Sequence, residues 1–108
     1  METDQRHSTR KALKTIGQLV PERSPPLNMR IINVARDGMA IASNVPVIEG
    51  AHCRVLFNLT VDGKTCQIAA GAKVIFCVYA GHSEFKSGLR FVELDSPATE
   101  AIVGFLSH

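Results

Sequence analysis

Residues 51–64 read AHCRVLFNLTVDGK, and this stretch decides the fold class. Between residues 51 and 59, apolar and polar side chains alternate, which puts four apolar residues on one face: Cys53, Val55, Phe57 and Leu59. A period of two is typical of a half-buried antiparallel strand. The residues Val61-Asp62-Gly63-Lys64 then predict a tight turn, because Asp-Gly tolerates the positive φ angles that hairpin turns need. The stretch therefore predicts a hairpin in an antiparallel sheet.

The same patterns, followed outward in both directions, predict the rest of the fold. We expect further strands at 12–20, 28–34, 39–43, 65–80 and 84–94, with residues 65–80 forming one long strand or two, bent at Gly71. Proline-containing loops are expected at 21–26 and 44–50. Asp95 or Ser96 can cap a short amphipathic helix at 97–106. Several short strands and one terminal helix predict a small, mainly β barrel.

Length and charge narrow the class of protein. The 108 residues suit one domain, and their 45% hydrophobic and 20% charged residues are typical of a globular protein. A net charge of +2 is too small for a general polyanion binder. We divide the chain into a flexible polar arm at 1–11 and a barrel with its helix at 12–108. Four basic residues cluster in and just after the arm, namely Arg6, Arg10, Lys11 and Lys14. Such a cluster could attract one small anion, although runs of charged residues usually face water.

The sequence holds no recognisable catalytic or metal-binding motif. The four histidines include no pair at helical spacing, and the three cysteines, Cys53, Cys66 and Cys77, form no Cys-x-x-Cys pair. We expect the cysteines to fill the core as small hydrophobes. No Gly-x-Ser-x-Gly elbow or phosphate-binding glycine loop occurs. We therefore expect no enzyme, no metal and no cofactor.

No apolar run approaches the roughly 20 residues that would span a bilayer. The sequence also opens without a basic segment followed by an apolar one, the pattern of a secretory signal. We expect a cytoplasmic protein without membrane insertion.

Three short motifs carry the functional signal. They are Arg6-His7-Ser8-Thr9-Arg10, Asn33-Val34-Ala35-Arg36-Asp37-Gly38, and Gly88-Leu89-Arg90-Phe91. In this order the chain resembles the PilZ domain family, bacterial receptors for cyclic di-GMP, which shows Arg-x-x-x-Arg, then Asp or Asn-x-Ser-x-x-Gly, then a strand often reading Gly-x-x-Phe. The resemblance runs from Arg6 to the terminal helix. It implies an all-β fold, a six-stranded antiparallel β-barrel with a short C-terminal α-helix.

The resemblance also implies a set of cyclic di-GMP-binding residues, namely Arg6, Arg10, Asn33, Ala35 and Gly38, with Gln5, Arg36 and Arg90 as possible additions. Arginine suits this ligand because its planar fork bonds phosphate oxygens or the guanine O6/N7 edge and its face stacks on a base. An asparagine offers a guanine both a donor and an acceptor. A glycine removes a Cβ beside the ligand. Ala35 departs from the family's serine, so a hydroxyl donor is missing there.

The resemblance thus implies a receptor that changes conformation on binding cyclic di-GMP and signals to a partner protein in trans. The alternative is a PilZ-like adaptor, for example in type IV pilus or motility control, that binds the nucleotide weakly or not at all. An exposed apolar patch without ligand-induced stabilisation would favour the adaptor. A nucleic-acid-binding barrel is disfavoured, because only five Phe and one Tyr occur, and we expect most of them on apolar strand faces.

Overall fold

The computed structural model describes residues 9–107. Along the chain it contains β1 (Lys11–Pro21), β2 (Leu27–Val34), β3 (Gly38–Ser43), β4 (His52–Val61), β5 (Lys64–Gly81), β6 (Glu84–Glu93) and α1 (Ser96–Leu106). Each predicted strand and the predicted helix is present, with its bounds shifted by no more than two residues. Most of the predicted arm, residues 1–8, lies outside the described residues. In the part of the chain described, no helix is long and apolar enough to cross a membrane.

The six strands form a closed barrel in the order β1-β2-β3-β6-β5-β4, and every neighbouring pair is antiparallel. Four of the pairs are hairpins between consecutive strands. The other two, β3 with β6 and β1 with β4, join strands that are distant in sequence, and the β1–β4 pair closes the ring. The predicted fold class, a six-stranded antiparallel barrel with a C-terminal helix, is confirmed.

The alternation of apolar residues places one face of each strand inside the barrel. Large side chains with almost no exposed surface fill the interior, among them Leu19, Ile31, Ile41, Leu59 and Ile68. Helix α1 packs against β4 and β5 and adds Ala98, Ile102 and Phe105 to the same core. The helix thereby covers apolar surface that the strands alone would leave in water.

Strand β5 is one long strand that pairs first with β4 and then with β6. Its first part, from Lys64 to Lys73, pairs with β4, and its second part, from Gly71 to Gly81, pairs with β6. The register with β6 shifts at Gly71/Ala72 and again at Val74/Phe76. The segment thus forms one long strand rather than two, and its pairing with β6 is irregular at Gly71, where the bend was predicted.

The β4–β5 turn has the predicted conformation. Asp62 and Gly63 both adopt positive φ, 52° and 77°. Two successive positive φ angles are typical of the two-residue hairpin turns whose twist matches that of the strands. The Asp62-Gly63 pair therefore fixes the register of the β4–β5 hairpin.

The cysteines do not all fill the core, and that expectation was wrong. Cys53 is buried, and burial raises the pKa of its thiol, whereas Cys66 is exposed and Cys77 is half-buried. Cys66 lies in the part of β5 that pairs with β4 before the pairing with β6 begins at Gly71. Strand alternation alone does not indicate that this part of the strand extends past the core.

Helix α1 begins at an aspartate cap. The Asp95 side chain accepts a hydrogen bond from the Ala98 backbone N–H at 2.8 Å, and Pro97 occupies the first turn. The cap satisfies a backbone donor that the helix itself leaves without an acceptor.

We predict that Asp95→Ala lowers the free energy of unfolding by about 1 kcal/mol, the usual effect of losing such a cap. Urea denaturation of wild type and variant measures the difference. Ser96→Ala is the matched control, because the neighbouring Ser96 side chain is exposed and is not the cap. Equal losses in both variants would contradict the assignment of the cap to Asp95.

Candidate functional site

A hydrogen bond joins the Arg6–Arg10 motif to the Asn33–Gly38 motif. Arg10, immediately before β1, donates from Nη1 to Oδ1 of Asn33 near the end of β2, at 2.8 Å. The sheet brings the two residues together, because the next residue but one, Ala12, is the register partner of Asn33. Arg10 is exposed and Asn33 is half-buried, so the guanidinium lies on the outer surface of the barrel.

The β2–β3 turn places the Asn33–Gly38 motif beside the Gly88–Phe91 motif. Ala35 N–H donates to the Gly38 carbonyl across the turn, and Phe91 N–H of β6 donates to the Asp37 carbonyl, each at 2.8 Å. Gly38 is also the register partner of Arg90. The turn is therefore anchored to β6, and the Asn33–Gly38 motif lies beside the Gly88–Phe91 motif.

Gly38 also has a structural role that the sequence does not indicate. It begins β3, and its φ is not among the positive values. A Cβ built on Gly38 would lie 2.1 Å from the Leu89 carbonyl oxygen, a distance that no real side chain tolerates. The missing Cβ lets the β6 backbone approach β3 closely, and this approach sets the position of Arg90.

A depression of about 210 Å³ lies where these elements meet, lined by Arg10, Asp37, Gly38, Ile75, Phe76, Gly88, Leu89 and Arg90. Two of these residues, Gly88 and Phe76, end a row of register partners that crosses the sheet from Asn33 through Ala40. The two central residues of this row carry no side chain beyond a methyl group. A flat ligand could therefore approach the sheet over Ala40, whereas the space over Gly88 is occupied by the Phe76 ring.

Phe76 lines the candidate site, although the sequence motifs do not include it. A Cβ on Gly88 would lie 2.3 Å from the Phe76 ring, so the ring lies directly over this glycine, and 43% of Phe76 is exposed. Tyr79 is exposed as well, at 64%, so the expectation of aromatics on apolar strand faces fails for both residues. The register shift between Val74 and Phe76 is the physical reason, because one extra residue changes which side chains face outward.

The remaining predicted site residues have different positions. Arg36 is exposed on the β2–β3 turn, whereas Ala35 has no exposed surface. Ala35 therefore offers a ligand nothing to touch in this conformation, and a hydroxyl at this position would meet the protein interior first. Gln5 and Arg6 lie outside the described residues.

Positive charge predominates around the depression. Arg10 and Arg90 line it, and Lys73 is the register partner of Arg90 on the neighbouring strand. Asp37 is the one acidic residue in the described lining. Within residues 9–107, no three His, Cys, Asp or Glu side chains come together in a way that could hold a metal ion. The arrangement is therefore suited to an anionic ligand with planar groups.

Comparison with known proteins identifies the fold. No family model matches the sequence, and no curated protein does. Among solved structures, the Bacillus subtilis inhibitor of motility MotI/DgrA superposes with a TM-score of 0.83 at 18% identity, over 97% of this chain and 51% of that one. The PilZ domain of Escherichia coli YcgR with c-di-GMP matches with a TM-score of 0.71 at 14% identity, over 96% of this chain and 90% of that one.

A third match, Borreliella burgdorferi PlzA in complex with c-di-GMP, has a TM-score of 0.68 at 11% identity and covers 95% of this chain and 41% of the other. This chain thus spans about half of the MotI/DgrA chain and less than half of PlzA. Its fold is that of a PilZ domain, as the motifs had indicated.

We predict that Gly38→Ala destabilises the fold by about 1–3 kcal/mol, because the new methyl group would force β3 away from Leu89. Urea denaturation measures the loss. Gly104→Ala is the control, since its Cβ would approach only the Val61 side chain, at 3.2 Å, and alanine favours the helix. A Gly38→Ala variant as stable as wild type would contradict the proposed role of the close approach.

Proposed function

We propose that this chain is a cyclic di-GMP-binding member of the PilZ family, a binding domain that signals to a partner protein in trans. The observation that carries the proposal is the hydrogen bond between Arg10 and Asn33, which unites two separate motifs beside one positively charged depression. The PilZ fold and the c-di-GMP complexes of YcgR and PlzA support the choice of ligand.

The arginines supply the polar recognition in this proposal. Arg10 uses one guanidinium nitrogen on Asn33, and its other N–H groups can donate to a phosphate oxygen or to guanine O6 and N7. Arg90 borders the same depression and can neutralise the second phosphate. Because Asn33 fixes the Arg10 side chain before the ligand arrives, less conformational entropy is lost on binding.

Phe76 supplies the apolar part of the proposed recognition. Its exposed ring lies over Gly88, the register partner of Ala40, and stacking of a base on an aromatic side chain contributes about 1–3 kcal/mol. The missing side chain of Gly88 leaves the space that the Phe76 ring occupies, and Gly38 lets β3 and β6 approach each other closely. Arg6, and Gln5 beside it, would add contacts from the arm, and Arg36 from the turn. Ala35, which is fully buried, would act on the shape of the turn rather than on the ligand.

A protein adaptor that binds cyclic di-GMP weakly or not at all is the second candidate. The similarity in fold to an inhibitor of motility favours it, as do the exposed apolar side chains of β5. Thermal unfolding with and without cyclic di-GMP separates the two functions, because a ligand at one hundred times its Kd stabilises a receptor by about 2.7 kcal/mol. An unchanged midpoint would favour the adaptor. For either function we expect a cytoplasmic location.

We predict that Arg10→Ala weakens cyclic di-GMP binding at least about tenfold, the effect of losing one charge-assisted contact. Isothermal titration calorimetry at constant ionic strength measures both affinities. The fold should be unaffected, because the Arg10 side chain is exposed and contributes nothing to the core.

Arg23→Ala is the matched control for this experiment. Arg23 is also exposed but lies in the loop between β1 and β2, away from the depression. The Arg23→Ala substitution removes the same charge as Arg10→Ala, so any general electrostatic effect appears in both variants. Equal affinities of wild type and Arg10→Ala would refute the assignment, and so would equal losses in the two variants.

A further inference from the structure

The outer part of β5 has an open edge. Strand β4 pairs with β5 only as far as Lys73, and two backbone hydrogen bonds join the next residue, Val74, to Gly50 and Ala51. From Phe76 to Gly81, β5 pairs with β6 on one side. On the other side, no strand within the described part of the chain pairs with these residues. The end of the β5–β6 hairpin therefore extends beyond the β4–β5 pairing, and among residues 9–107 no strand pairs with its other side.

This open edge is apolar. Residues 74–80 read VIFCVYA, a run with no charged residue and no proline. Four of its side chains are substantially exposed: Ile75 at 43%, Phe76 at 43%, Val78 at 52% and Tyr79 at 64%. β-Branched and aromatic residues of this kind have high strand propensity. The edge is therefore well suited to accept another strand.

Proteins usually protect such an edge with a lysine, a proline, an inward-pointing charge or a covering loop. In residues 74–80 none of the first three is present. We propose that a second copy of this chain covers the edge, by antiparallel pairing of β5 with β5 in a symmetric dimer. This inference goes beyond the proposed function and does not rest on nucleotide binding.

The sequence of the edge favours a second copy as the occupant. In a two-fold dimer the same segment meets itself in reverse, so the interface must be complementary to itself. The midpoint of 74–80 is Cys77, and an axis there sets Ile75 opposite Tyr79 and Phe76 opposite Val78 of the other copy. Each of these is an apolar or aromatic cross-strand pair, the kind that stabilises sheets.

Charge is also compatible with this register. The nearest charged residue before the run is Lys73, which already pairs with His52 of β4 and therefore lies outside the new strand pairing. Beyond Gly81 the chain turns back and reaches Glu84. No like charges are therefore placed directly opposite each other, and the uncharged centre does not repel itself.

The test is sedimentation velocity of the full chain over a range of protein concentrations, with wild type and two variants compared. We expect a wild-type dimer and at least a tenfold weaker association in Val78→Lys, which places a charge in the centre of the edge. Val92→Lys is the matched control, because Val92 is the same residue type, is similarly exposed at 50%, and lies on β6 rather than on the edge.

A monomeric wild type at all concentrations would overturn the proposal, since the edge would then be open in solution or reserved for another protein. Association that Val78→Lys and Val92→Lys leave equally strong would also overturn it. Circular dichroism of both variants verifies that the barrel is retained. Neither Val78 nor Val92 lines the candidate nucleotide site, so a failed dimer and a failed nucleotide titration are separate results.

The register has its own test, because Cys77 would lie opposite Cys77 of the other copy. Directly opposed residues of antiparallel strands have Cα atoms about 4.5–5.5 Å apart, within the range of disulfides. In a Cys66→Ser background, which removes the exposed thiol, mild oxidation should yield a covalent dimer on a non-reducing gel. Adding Cys77→Ser should abolish that band. Absence of the band from a protein that sediments as a dimer would overturn the register centred on Cys77.

Discussion

The pairing of β3 with β6 is the constraint on which the candidate site depends. It joins segments that lie about half a chain apart and brings the β2–β3 turn beside Arg90, and its close approach at Gly38 depends on the absence of a Cβ that would meet the Leu89 carbonyl. The Phe91 N–H then anchors the turn through the Asp37 carbonyl. The β3–β6 pairing thus closes the barrel on this side and brings the Asn33–Gly38 motif beside the Gly88–Phe91 motif.

The second determinant of the surface is the irregularity in β5. The register shift between Val74 and Phe76 turns Phe76 outward over Gly88, where its ring borders the depression with Arg10 and Arg90. The same strand continues beyond its pairing with β4 and exposes an apolar edge. One long strand thus contributes an aromatic residue to the proposed nucleotide site and the backbone of the proposed dimer interface.

Much of the fold could be predicted from the sequence because its signals are local. Alternation in residues 51–59, Asp62-Gly63 at the hairpin, and Asp95 before the helix each act within a few residues, and each predicted element is present. The order of the motifs is also the basis for the position that we propose for the site. Arg10, Gly38 and Arg90 do line one depression, and Asn33 holds Arg10 at its rim.

What the sequence could not indicate depends on contacts between distant strands. The burial of Ala35 follows from the packing of a turn against the core, and the exposure of Cys66 follows from where β4 and β6 pair with β5. The close approach of Gly38 to the Leu89 carbonyl involves the backbone of a strand about half a chain away. Phe76 faces outward because of a register shift that no local pattern encodes.

The central claim is that Arg10 and Asn33 act as one unit in binding cyclic di-GMP. A double-mutant cycle tests it most directly, with calorimetric titration of wild type, Arg10→Ala, Asn33→Ala and the double variant. If Asn33 holds the guanidinium in place for the ligand, the two losses are not additive, and the coupling free energy is about 1 kcal/mol or more. Losses that simply add, or binding that none of the variants weakens, would contradict the account.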